Sequence, residues 1–83
     1  MTDAQLVEIL MATMRTQLRQ PSLQFDPMLE LKSLPDYDSV SAIQIVLGLE
    51  ETFRITVDED EIETLSTLGD AYRIVRKRLM AIA

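Results

Sequence analysis

The chemistry-bearing side chains of this chain gather in two short stretches, Asp36-Tyr37-Asp38-Ser39 and Asp58-Glu59-Asp60-Glu61. The first sets a hydroxyl directly after an acid and just before an apolar run that begins at Val40. Either Asp38 or Ser39 can serve there as a helix N-cap, worth about 1 kcal/mol. Capping alone accounts for the pair, because an acid and a serine ahead of a helix are common. Nucleophilic catalysis on a serine would need a base such as histidine, and the chain has 0 His. The second stretch suits a hard cation only in its charge. An EF-hand loop needs a central glycine and alternating ligands ending in Glu, and this segment has neither. It reads as a solvated acidic face, with no metal site expected.

The remaining composition narrows the chemistry further. Among 83 residues, 14 are Asp or Glu against 8 Lys or Arg, giving a net charge of -6 and a pI near 4.4. With 0 Cys there is no disulfide and no thiolate ligand. Gly48 and Gly69 are the only glycines, too few for a phosphate-cradling loop. Intrinsic catalysis is therefore not expected. The acidic balance disfavours nucleic acid, whose phosphates are held by clustered Lys and Arg, and favours basic partners. The length sets one domain, 1–83, burying roughly 60–65% of its unfolded surface. A hydrophobic share of 47% predicts a folded chain. Asp3 and Glu8 stand where a secretory signal needs positive charge, and no apolar run nears the ~18 residues of a membrane span. A cytoplasmic protein without membrane insertion is expected.

Periodicity then supplies the elements that would position these groups. Thr2 to Arg19 predicts an amphipathic helix, capped by Thr2 or Asp3, with Leu6, Ile9, Leu10, Met14 and Leu18 on its apolar stripe. Pro21 stops it. Gln20 to Asp38 is a long irregular connector with Pro21, Pro27 and Pro35, anchored by Leu23, Phe25, Met28, Leu29, Leu31 and Leu34. Val40 to Phe53 predicts the strongest helix, with Val40, Ile43, Val46, Leu47, Glu50 and Phe53 in register. Gly48 within it suggests a close helix contact. A short link from Arg54 to Val57 precedes a brief helix at Asp58 to Leu65, with Ile62 and Leu65 inward. Thr67-Leu68-Gly69-Asp70 reads as a capping box with Asp in the usual Glu position. The last helix runs to about Ile82 and buries Ala71, Ile74, Val75 and Leu79. Met11, Met14, Met28 and Met80 are expected to soften the core. Three sizeable helices, one short helix and no strand predict an all-α, four-helix bundle.

Taken in order, Asp38-Ser39-Val40, Ile43, Ile45-Val46 and Leu49-Glu50-Glu51-x-Phe53 resemble the acyl carrier protein family, whose pattern is Asp-Ser-Leu followed by an apolar helix ending in Leu-Glu-x-x-Phe. The acidic segment Val57-Asp58-Glu59-Asp60 and the helix entry Thr67-Leu68-Gly69-Asp70-Ala71 continue the likeness, which covers about Leu34 to Leu79. The resemblance implies that a separate phosphopantetheinyl transferase esterifies Ser39 with 4'-phosphopantetheine, with Asp38 the motif neighbour that the transferase recognises. The modified chain would be a phosphoprotein whose arm thiol carries acyl groups as thioesters. Ser41 falls inside the first turn, off the motif, and Ser33 lies back in the connector. A phosphodiester on Ser39 would meet the positive end of the helix.

The family also docks acidic surfaces onto basic patches of acyl-loading, condensing and acyl-transferring enzymes. By that likeness Val40, Gln44, Leu47, Glu50, Glu51, Asp58, Glu59 and Asp60 are docking residues. The acids from Glu50 to Glu63 face only Arg54 in sequence, while Arg73, Arg76, Lys77 and Arg78 cluster on the last helix, which predicts a polarised molecule. Val40 stands where Leu is usual, and Ser41 and Gln44 replace positions often acidic in fatty-acid carriers. A dedicated partner in a fatty-acid, polyketide or other specialised pathway is expected, with the length and Met1 suggesting a free-standing monomer. The alternative is an unmodified helical interaction module that binds a basic partner.

Overall fold

A computed structural model describes residues 2–82, with side chains described through residue 79. Its elements are α1 (Asp3–Leu18), a 3-10 turn (Leu31–Ser33), α2 (Ser39–Phe53), α3 (Glu59–Glu63) and α4 (Leu68–Ile82). Thr2 caps α1 through a reciprocal box with Gln5, and Arg19 closes it in the left-handed conformation at φ 56°. The expected helical bundle is present, and the described residues form no strand.

The core draws residues from α1, the 3-10 turn, α2, the link after α2, and α4, but none from α3 or the link that follows it. Leu10, Met14, Leu31, Ile45, Leu49, Leu68 and Val75 are its largest fully buried side chains. Each contributes on the order of 1.5–3 kcal/mol by leaving water. Among the described residues no polar or charged residue is buried. The link from α2 to α3 contributes Ile55 and Val57, while α3 itself packs only through the partly buried Ile62. Five residues are too few for a helix to stand unaided, so its neighbours must hold it.

The connector between α1 and α2 is stitched down rather than loose. Arg15 Nε donates to the Leu23 carbonyl at 2.7 Å, and the Phe25 and Tyr72 rings meet at 5.8 Å. Glu30 forms an isolated antiparallel bridge with Thr67, and Leu31 N–H donates to Ser66 O at 2.8 Å. Leu68 and Gly69 N–H donate to Leu29 and Pro27 carbonyls, each at 3.1 Å. A Cβ on Gly69 would lie 2.7 Å from the Pro27 carbonyl oxygen, so only glycine admits this approach. Gly48 likewise faces Gln17 of α1, where an added Cβ would sit 3.0 Å from the side chain.

The expected burial of Met28 and Leu79 needs correction, and the packed face of α2 is now defined. Val40, Ile43 and Leu47, placed in the helical register of α2, are 56%, 54% and 55% exposed, which suits the docking role expected of Val40 and Leu47. The face that packs is Ile45, Val46, Gly48, Leu49 and Phe53. α2 is apolar on two sides, and periodicity does not say which side meets the bundle. Met28, expected to anchor the connector and soften the core, is 81% exposed because Asp26 turns the chain there by accepting from Met28 N–H at 3.0 Å. Met11 and Met14 are buried, Leu79 is half-buried, and the Met80 side chain lies outside the described residues.

Candidate functional site

The start of α2 is organised by Asp38. Its backbone is extended, and its Oδ1 accepts from Ser41 N–H at 2.9 Å and from the Ser41 hydroxyl at 3.1 Å. Ser41 Oγ in turn accepts from Asp38 N–H at 3.2 Å, closing a reciprocal capping box. These bonds, the Ser41 N–H foremost and then its hydroxyl, hold the Asp38 carboxyl below the ordinary aspartate range. The choice left open between Asp38 and Ser39 is thereby resolved: Asp38 is the cap and Ser39 the first helical residue. Ser41, the rival hydroxyl, is absorbed into the cap. Ser39 is exposed and outside that network.

An exposed hydroxyl on the first residue of a 15-residue helix fits a phosphodiester well. The first N–H groups of a helix have no partner within it, and the macrodipole places positive charge there. The nearest carboxylate is turned into the cap. Tyr37, just before it, is half-buried, and that burial raises its phenol above the ordinary tyrosine range.

Around Ser39 the predicted docking residues are nearly all on the surface. Val40, Gln44, Leu47, Glu51, Asp58, Glu59 and Asp60 are exposed. Glu50 is the exception: it is half-buried, and its Oε2 accepts from Val57 N–H at 3.0 Å, tying α2 to the link before α3. Ile43 joins Val40 and Leu47 as a third exposed aliphatic on one flank of α2. Their i, i+3, i+7 spacing is a visible sequence signal for that shared flank.

The predicted charge separation also needs revision. Arg78 of α4 reaches α3, where its Nη2 pairs with Asp58 Oδ2 at 2.8 Å and with Glu61. The Arg78 hydrogen bond keeps the Glu61 carboxyl below its ordinary range. Arg76 lies 3.6 Å from Asp3, and Arg73 pairs with Asp70 at 2.8 Å. The basic helix thus neutralises part of the acidic surface, leaving Glu51, Glu59, Asp60 and Glu63 as its free edge among the described residues. Those residues contain no group of three or more carboxylates poised to hold a metal ion. No helix among them is long and apolar enough to cross a membrane.

Comparison with known proteins places this geometry. Residues 8–75 match the protein family described as "Phosphopantetheine attachment site". The chain is 45% identical over 40 residues to acyl carrier protein 1, chloroplastic, of Hordeum vulgare, covering 48% of this chain and 27% of that protein. It is 34% identical over 41 residues to an acyl carrier protein of Desulforapulum autotrophicum, covering 49% of this chain and 53% of the relative. The matches thus span between about a quarter and a half of these relatives' length. The solution structure of holo acyl carrier protein from Geobacter metallireducens superposes with a TM-score of 0.82 at 21% identity, covering 90% of this chain and 86% of that one. At that identity the likeness is one of fold.

Proposed function

This chain belongs to the acyl carrier protein family, whose prosthetic group is 4'-phosphopantetheine, and from that premise we propose that Ser39 is the attachment residue. The observation that carries the reading is the division of labour at the start of α2. Asp38 and Ser41 satisfy one another, while Ser39 stays exposed beside the helix N-terminus. A transferase therefore meets one hydroxyl free to react and a second held in the cap. The group, when bound, supplies the thiol that a chain with 0 Cys lacks, and acyl groups travel on it as thioesters.

The chain's own part is to carry, not to catalyse. Asp38 sets the first turn of α2 so that Ser39 projects from its end. The free N–H groups there stabilise a phosphodiester's negative charge. Docking falls to the exposed flank of Val40, Ile43 and Leu47, with Gln44 alongside and Glu51 beyond. Glu59 and Asp60 provide a second, acidic contact. Such a surface fits an enzyme with an apolar cleft and a basic rim: aliphatic contact supplies affinity, and charge steers the approach. Because the first two turns of α2 present no acid, partners differ from those that read an evenly acidic helix. That supports a dedicated pathway, whether for fatty acids, polyketides or related products.

Incubation with a phosphopantetheinyl transferase and coenzyme A, followed by intact mass measurement, tests the attachment. The wild type and Ser41→Ala gain the phosphopantetheinyl mass, and Ser39→Ala does not. No gain on the wild type overturns the assignment in favour of an unmodified interaction module, and an undiminished gain on Ser39→Ala overturns it in favour of another attachment residue.

A further inference from the structure

A recess of about 310 Å³ lies between the end of α1, the last turn of the connector and the first turns of α2. Its walls include Gln17, Arg19, Gln20, Asp36, Tyr37 and Gln44, with Ser41 of the α2 cap at its edge. Two of its residues, Arg19 and Asp36, hold left-handed backbones at φ 56° and 61°. Such conformations are uncommon outside glycine and persist only where surroundings enforce them. The volume lies at the lower end of the range of about 300–1,000 Å³ for small-molecule pockets.

The lining indicates the chemistry of an occupant. Gln17, Gln20 and Gln44 all border this space; the Gln17 carboxamide packs against Gly48, and no protein hydrogen bond among the described residues engages the Gln20 and Gln44 carboxamides, each with donors and an acceptor. An aliphatic acyl tail would strip these groups of water without replacing their bonds, at a cost that disfavours it. A chain of secondary amides and a hydroxyl offers donors and acceptors that can replace those bonds. The half-buried Tyr37 closes the recess on the side towards α3.

We propose that this recess holds the amide-bearing middle of the pantetheine arm, so that the arm folds back from Ser39 along the α1 flank of α2. The inference rests on attachment at Ser39. Tyr37 also borders a second, smaller recess of about 230 Å³ lined by Leu31, Lys32, Glu63, Leu65 and Ser66. That space includes no residue of α2, and two of its residues are charged. Tyr37 thus borders both recesses. With its amides held on the α1 side, the arm leaves the Val40–Ile43–Leu47 flank bare for a partner.

Isotope-filtered NMR on labelled protein carrying an unlabelled arm tests this, with intact mass recorded on the same sample. Arm protons are expected to show cross-peaks to the Gln20 and Gln44 carboxamides and to the Tyr37 ring. Those carboxamide resonances shift between the unmodified and modified forms. Gln20→Ala, on the connector wall of the recess and off the docking flank, loses the arm's cross-peaks to Gln44 and Tyr37 while gaining the full mass. Full mass with no such cross-peaks, with cross-peaks at Leu65 and Ser66 instead, or with the Gln44 and Tyr37 cross-peaks unchanged in Gln20→Ala, overturns the recess alone. No mass gain at Ser39 overturns the attachment reading, and this inference with it.

Discussion

The starts of α2 and α4 use the same capping device and come to opposite ends. At α4, Thr67 Oγ1 accepts from Asp70 N–H at 3.1 Å, and Asp70 Oδ2 accepts from the N–H groups of Thr67 at 2.9 Å and Ser66 at 3.0 Å. The connector then covers that helix end, because its Leu29 and Pro27 carbonyls take the N–H groups of Leu68 and Gly69. At α2 the box between Asp38 and Ser41 has no such roof, and Ser39 and Val40 stand in solvent. A helix N-terminus is an anion site only while its N–H groups are unclaimed. Tertiary cover makes one cap structural, and its absence makes the other available.

That contrast can be broken at several points. Gly69→Val should have the largest effect on folding. Its Cβ would press on the Pro27 carbonyl oxygen, and overpacking of this kind costs about 3 kcal/mol, measurable as a lowered urea midpoint. Modification of Ser39 should survive it wherever the protein remains folded. Thr67→Ala and Asp38→Ala should each cost about 1 kcal/mol as lost caps. Only Asp38→Ala should also slow transferase modification, seen as a lower rate of mass gain. Equal slowing in both variants would mean that the two helix starts do not differ in role.

Acid titration sharpens the comparison further. At Asp70, burial pushes the carboxyl up, but the Thr67 and Ser66 N–H donors and Arg73 outweigh it and leave it below its ordinary range. Asp38 and Glu61 are depressed as well. A depressed folded pKa contributes stability that is full above the unfolded value of about 4 and is lost as pH falls through the folded one. Urea midpoints should therefore drop below about pH 4, and less steeply in Asp70→Asn. The smallest change expected is the stability of Ser39→Ala, within about 0.5 kcal/mol of wild type, since its hydroxyl lies outside the cap network. A larger loss would show that Ser39 is structural after all.

Much of this was legible in the linear chain. The helix starts announce themselves through side chains that bond to backbone within three residues, so Thr2, Asp38 and Thr67 could be read as caps without a partner element. The Asp38-Ser39 pair and the ordered residues after it resemble the motif of the carrier family. What escaped were choices between faces. α2 offers apolar residues on more than one side, and only packing against α1 and α4 decided that Ile45, Val46, Leu49 and Phe53 go inward while Val40, Ile43 and Leu47 remain out.

Long-range pairing was equally invisible. Arg78 lies 20 residues from Asp58, so its crossing to α3 depends on how α4 is laid down. The recess of glutamines joins residues from α1, the connector and α2 that share no local pattern. Where the helices begin and how their ends are capped follow from the linear chain, because these depend on short-range hydrogen bonding and sterics. Which cap is roofed over and which hydroxyl is left in water is settled by the packing of helices and connector, because burial belongs to the assembled faces and not to any one segment.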